Sequence, residues 1–165
     1  MEVALYMPEI PPNTGNISRL CVCTGTRLHI IGKPAFSMDE AAVRRAGLDY
    51  WDRLDLHMHE DWDAFRDDYV KPGGRRVLLL SKFASRSYAR HEFQEKDVVV
   101  FGRESSGLPD EIKDEVAADG AEHLLRIPIK TDCRSLNLSN SVAIVLFEAL
   151  RQGDFAGLDQ VFQSP

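Results

Sequence analysis

DVVVFGRESSGLP, residues 97–109, sets an unbroken apolar run, Val98 to Phe101, ahead of a polar loop bounded by Gly102 and Gly107. A strand with one face in water alternates apolar and polar residues, whereas an uninterrupted run is a strand covered on both faces. The two glycines permit a tight turn or a close approach of backbone to a ligand. Pro109 suits the first turn of a helix reaching about residue 118. Strand, polar loop and helix in this order form one unit of a parallel α/β sheet.

The same grammar extends in both directions. VLLLS (77–81) is a second continuous run, and VALYM (3–7), RLHIIG (27–32), LDLHM (54–58) and HLLRIPI (123–129) are further strand candidates. A helix is predicted over ISRLCVCT (17–24), stopped by Gly25, with Pro11 and Pro12 ending the first strand and Asn or Thr as the cap. Ser37 and Glu40 have capping-box spacing for a helix ending near Gly47, and Trp62, Phe65 and Tyr69 share a helical face. The last helix covers LNLSNSVAIVLFEALRQ (136–152) and is closed by Gly153. The alternation predicts a single α/β domain over residues 1–165: an open, mostly parallel sheet with helices on both faces. Val142, Ile144, Val145, Leu146 and Phe147 cover more than one face of the last helix. Such a helix is buried on two sides, by the sheet and by either more core or a second subunit.

Composition narrows the setting. With 165 residues, 44% hydrophobic and 28% charged, the chain is ordinary globular material with room for a real core. No apolar run approaches the roughly 20 residues of a membrane-spanning helix. An acid at position 2, no basic start and three cysteines predict a reducing compartment without a signal peptide, and hence the cytoplasm. The net charge of -6 argues against a nucleic-acid partner on average, yet its distribution is uneven. Residues 52–68 carry seven acids against Arg53 and Arg66, while residues 71–90 carry Lys71, Arg75, Arg76, Lys82, Arg86 and Arg90 with no acid. A local basic stretch can meet phosphates, though a solvated surface explains it equally.

In open α/β sheets ligands bind at the carboxyl ends of strands. PEIPPNTGN, SKFAS, GRESSGLP and KTDCRSLNLSN each follow a strand, and their convergence marks a site. Gly102 and Gly107 have the separation of a phosphate-binding loop, but Leu108 and Pro109 stand where Lys and Ser or Thr are needed. No GxGxxG follows the first strand and no GxSxG occurs, so dinucleotide and serine-hydrolase chemistries are disfavoured. Cys21 and Cys23 diverge on a helix, and His57 and His59 lack a third ligand. No metal is expected, and the histidines read as surface residues. Ser135, Asn137, Ser139 and Asn140 exceed what one helix cap needs and suit a purine edge, ribose or carboxylate. Asn13, Asn16 and Arg19, spaced by three, likewise exceed the needs of a turn.

PPNTGNISRLC (11–21), FGRESSGLP (101–109) and RIPIKTDCRSLNLSNSVAIVLFEALRQ (126–152) together resemble the three signature motifs of the SPOUT superfamily of RNA methyltransferases. The compact length, PEIPPNTGNI and RAGLDYW (45–51) resemble the branch that methylates the wobble ribose of leucine tRNAs. The resemblance implies a deep trefoil knot over about residues 77–152 that binds S-adenosyl-L-methionine (AdoMet) and yields S-adenosyl-L-homocysteine. Its cofactor contacts fall at Leu79, Gly102, Ile127, Ser135 and Leu136, with Glu104 and Gly107 nearby. It implies a homodimer packed through the first and last helices. It also implies methyl transfer to the 2′-hydroxyl of nucleotide 34, a cytidine or modified uridine. Arg19, Asn13 and Asn137 form the implied catalytic set: the asparagines orient the ribose, and Arg19 holds a phosphate and steadies charge on the reacting oxygen. Arg134 and the 71–90 stretch are tRNA-contact candidates. Arg103 and Ser105–Ser106 depart from that branch's usual residues. Two alternatives stand beside this expectation: ribose methylation at another tRNA position or on rRNA, and a non-catalytic RNA-binding module.

Overall fold

Strands β1 (Glu2–Tyr6), β2 (Leu28–Ile31), β3 (Leu56–His59), β4 (Arg76–Leu80), β5 (Arg86–Ser87), β6 (Asp97–Phe101) and β7 (Leu124–Arg126) pair in parallel throughout. They make one sheet in the order β3-β2-β1-β6-β4-β7-β5. The computed structural model describes residues 1–38 and 51–159, so the predicted Ser37–Gly47 helix and most of RAGLDYW lie outside the described residues. Helices α1 (Pro11–Thr24), α2 (residues 62–73), α3 (Asp110–Asp119) and α4 (Leu138–Gln152) flank the sheet. Among the described residues, no helix is long and apolar enough to cross a membrane.

The β6 run behaves as its composition requires, and all five of its residues are buried. Val99 and Phe101 pack in one cluster with Ile17 and Cys21 of α1 and with Val142 and Val145 of α4. Val98 and Val100 face the other way, into a cluster with Trp62, Phe65, Ile112 and Val116 of α2 and α3. Each such side chain contributes about 1.5–3 kcal/mol through burial, so both faces must be covered for the run to be stable.

Several boundaries differ from the sequence expectation. Helix α1 starts at Pro11, not Ile17, because prolines fit its first two positions, where a backbone N–H has no helical acceptor. Asn13 and Thr14 are therefore inside the helix and do not cap it; the capping position is Ile10, which offers no side-chain acceptor. Strand β7 ends at Arg126, and the two-residue β5 is an additional edge strand. Within α2, residues Phe65–Val70 widen into a π-helical turn that keeps Trp62 and Phe65 buried.

The histidine expectation is also corrected. His59 is half-buried rather than a surface residue, because the fully buried ring of His29 lies beside it with centroids 5.1 Å apart, whereas the His57 side chain stays 40% exposed and bonded to Asp55. No group that could hold a metal ion occurs among the described residues. The basic stretch is partly spent in ion pairs: Arg75 pairs with Glu2 and Arg76 with the buried Asp97, while Lys71 pairs with Asp67 on the surface. Lys82, Arg86 and Arg90 stay exposed.

Candidate functional site

β1 and β6 are neighbours, yet α1 follows β1 onto one face of the sheet while α3 follows β6 onto the other. The two loops therefore part at the carboxyl edge and open a crevice, the usual ligand position in such sheets.

Two carboxylates lock this edge reciprocally. Glu104, from the loop after β6, accepts hydrogen bonds from the backbone N–H of Glu9 (2.8 Å) and Ile10 (3.3 Å) and from Asn13 Nδ2 (3.1 Å). It thus places negative charge at the N-terminus of α1, which has no side-chain cap of its own. Glu9, from the loop after β1, accepts from the Ser105 hydroxyl and backbone N–H (2.9 Å each) and from Arg103 Nε (3.1 Å). These Ser105 bonds, with the Arg103 charge, hold the Glu9 carboxyl below the usual carboxylate range.

The bonding continues into α4. Asn13 is buried to 4% exposure, and its Oδ1 accepts from Asn137 Nδ2 at 2.9 Å. Asn137 caps α4, its Oδ1 accepting from the Ser139 N–H (2.9 Å), the Ser139 hydroxyl (2.7 Å) and the Asn140 N–H (3.3 Å). Glu104, Asn13 and Asn137 thus form one chain of hydrogen bonds joining the loop after β6 to the first turn of α1 and the cap of α4.

That chain forms part of the wall of a cavity of about 810 Å³, within the range of small-molecule sites. Leu80, Phe101 and Leu138 supply apolar wall, while Ser81, Ser135 and Arg134 supply polar atoms. The glycine-bounded loop closes on itself: the Arg103 N–H donates to the Gly107 carbonyl (3.1 Å) and the Gly107 N–H to the Arg103 carbonyl (2.9 Å). Gly107 adopts φ +74°, and a Cβ on Gly102 would lie 2.3 Å from the Gly107 carbonyl carbon, so neither position accepts a side chain freely.

The cavity brings together Asn13, Asn137, Gly102, Glu104, Gly107, Ile127, Ser135 and Leu136. Two of the anticipated residues fall elsewhere. The side chain of Leu79 is fully buried in the cluster with α2 and α3, and its neighbour Leu80 lines the cavity instead. Arg19 is exposed on α1 and does not line the cavity of its own chain.

Residues 1–147 match the family described as the SpoU rRNA Methylase family. The chain belongs to that family. It is 48% identical, over 94% of its length and 97% of the relative's, to a tRNA (cytidine(34)-2′-O)-methyltransferase of Methylovorus glucosotrophus. Its fold superposes with a TM-score of 0.85 on a 37%-identical structure described for 2′-OH methylation of C/U34 on tRNA, covering 93% of this chain and 95% of that one. An AdoMet-bound rRNA methyltransferase from Sinorhizobium meliloti is 27% identical with a TM-score of 0.79, over 91% of this chain and 55% of the other.

For this SpoU-family chain, the sequence reading missed Glu9, whose place before two prolines carries no signal of a partner ninety-odd residues away. It noted Arg103 and Ser105 as departures from related chains; both are bonded to Glu9, so they belong to the lock.

Proposed function

We propose that this chain is an AdoMet-dependent tRNA 2′-O-methyltransferase acting on the wobble nucleotide 34, cytidine or modified uridine, of leucine tRNAs. The observation that carries the reading is the Glu104–Asn13–Asn137 chain in the wall of the cavity: fixed amides stand beside a space of nucleoside size. The names of the relatives over nearly the full chain supply the tRNA ribose as acceptor.

The cavity fits the cofactor chemically. Leu80, Phe101 and Leu138 suit a flat purine, and Ser135 and Arg134 suit hydroxyls and a carboxylate. When bound, AdoMet supplies an activated methyl on a sulfonium. The protein's own contribution is positioning: Asn13 and Asn137, already fixed by mutual bonding, would orient the ribose and its 2′-hydroxyl at the cavity. Ser135 and Leu136 with Gly102, Gly107 and Ile127 would hold the cofactor, with Leu80 in the place anticipated for Leu79. The Arg19 guanidinium, a donor with no acceptor atom, steadies the developing oxyanion and the adjacent phosphate. Because Arg19 lies outside its own cavity, it serves the cavity of a second copy in a homodimer packed through α1 and α4. Phe147, 46% exposed on α4, supports that packing.

With this reading go a single domain over 1–165, a trefoil knot over about 77–152 and a cytoplasmic setting, the last supported by three unpaired cysteines. The test is incubation of the protein with methyl-labelled AdoMet and unmodified leucine tRNA, followed by nucleotide-resolved mapping. Ribose methylation at nucleotide 34 is expected. Methylation only at another tRNA position or on rRNA overturns the wobble assignment, and no transfer to any RNA overturns the enzyme reading.

A further inference from the structure

Large hydrophobic side chains are seldom left in water, and their positions here are not scattered. Among the described residues five are exposed, and three of them, Ile10 (44%), Leu136 (39%) and Phe83 (79%), line the one cavity already described. Phe83 forgoes most of the stabilisation that burial would bring.

The ring is displayed by a pinned turn. The Ser81 N–H donates to the Leu125 carbonyl of β7 (2.9 Å), and the Ser81 carbonyl accepts from the Ala84 N–H (3.2 Å). The Ser81 hydroxyl accepts from the Phe83 N–H at 3.3 Å, and Ala84 beyond it is buried. With both sides of the turn anchored, Phe83 stands at its projecting corner. Two ammonium groups lie over the ring: Lys82 Nζ is 5.0 Å and Lys113 Nζ 5.8 Å from its centroid, the latter held by Asp110, so a stacking base takes the ring face by displacing the mobile Lys82 ammonium towards its phosphate. A flat, solvent-facing aromatic beside cations is what a stacked base with its phosphate requires.

We propose that Phe83 is a stacking platform for a nucleobase of the RNA substrate at the mouth of the cavity, with Lys82 meeting the adjoining phosphate. An acidic peptide would satisfy the lysines without needing the ring face, so the pairing of the two favours RNA. The proposal rests on the function proposed above, and its test reads binding separately from methyl transfer. Stacking by one base is worth about 1–3 kcal/mol, equivalent to roughly a 5- to 150-fold change in affinity.

The experiment measures fluorescence anisotropy of a labelled leucine-tRNA anticodon stem-loop with wild type, Phe83→Ala, Phe83→Leu and Phe83→Trp. Calorimetry with S-adenosylhomocysteine and sedimentation of each variant accompany it. Expected are about tenfold weaker RNA binding for both Ala and Leu, and wild-type binding for Trp with its fluorescence quenched by RNA. S-adenosylhomocysteine affinity and oligomeric state should not change. Phe83→Leu binding RNA like wild type would show that apolar bulk alone matters and overturn the proposal. So would a loss of S-adenosylhomocysteine affinity, which would place the ring against the cofactor, or a shift in oligomeric state, which would place it at a subunit contact. A wild type that binds the stem-loop but transfers no methyl counts against the proposed activity alone, since the binding comparison still decides the role of Phe83.

Discussion

Two carboxylate-centred networks sit at opposite edges of the same sheet. At the amino edge, Glu2 accepts from Tyr69 Oη (2.8 Å) and Arg75 Nε (3.3 Å) and lies 3.2 Å from Nε2 of His29, with Arg27 at 3.6 Å. At the carboxyl edge, Glu104 and Glu9 hold two loops together and extend through Asn13 to Asn137. The interactions are alike in kind and length. They differ in what lies alongside: the first is closed over by Tyr69 and stacked histidines, while the second forms the wall of the cavity. A hydrogen-bonded carboxylate is therefore no mark of a site by itself. What distinguishes the site is a fixed network with one side left to a ligand.

The comparison can be broken by mutating either side. Glu2→Gln should have the largest effect on stability and none on S-adenosylhomocysteine affinity. Burial opposes ionisation of Glu2, but hydrogen bonds from His29 and Tyr69 and the Arg75 charge outweigh it and bring its pKa to about 2 from 4.5. A depressed carboxylate pKa gives stability that is present above about 4.5 and lost as the pH falls towards 2. The shift corresponds to roughly 3 kcal/mol near neutral pH, measurable by urea unfolding. A change in ligand affinity in this variant would show that the two edges are coupled.

Gly102→Ala should act the opposite way. Its Cβ would press on the Gly107 backbone at 2.3 Å, so the loop must move; overpacking of this kind costs about 1–3 kcal/mol. The expected readout is a loss of S-adenosylhomocysteine affinity of tenfold or more by calorimetry, using about 1.4 kcal/mol per decade. Asn13→Ala should cost about 1–2 kcal/mol by leaving Asn137 Nδ2 and one Glu104 oxygen short of a partner, and should lower kcat more than cofactor affinity. The smallest effect is a slope. Burial, with the charges of His29 and His57, holds the His59 pKa down to about 4, so that ring is neutral when folded. Stability should then fall as the pH drops from about 6.5 to 4, and His59→Gln should flatten Tm against pH across that window.

Local chemistry made much of this legible. Val98 to Phe101 announced a strand covered on both faces, and alternate residues do enter the two clusters. Ser135, Asn137, Ser139 and Asn140 exceeded what one cap needs without showing which of them caps; Asn137 caps α4 and also reaches Asn13. What stayed hidden depends on residues far apart in the chain. The start of α1 at Pro11 could not be read because its negative partner, Glu104, comes from a loop more than ninety residues away. The insertion of β6 between β1 and β4 follows from sheet order, which periodicity does not encode. The partial burial of His59 depends on His29, which belongs to a different strand.

Hydrogen exchange with and without S-adenosylhomocysteine tests the central claim most directly, because it compares both edges in one measurement. Slowed exchange is predicted in peptides covering residues 102–107 and 134–141, with no change across residues 27–31 and 55–59. Protection confined to residues 27–31 and 55–59, or absent from 102–107, would contradict the assignment of the β1/β6 crevice as the site.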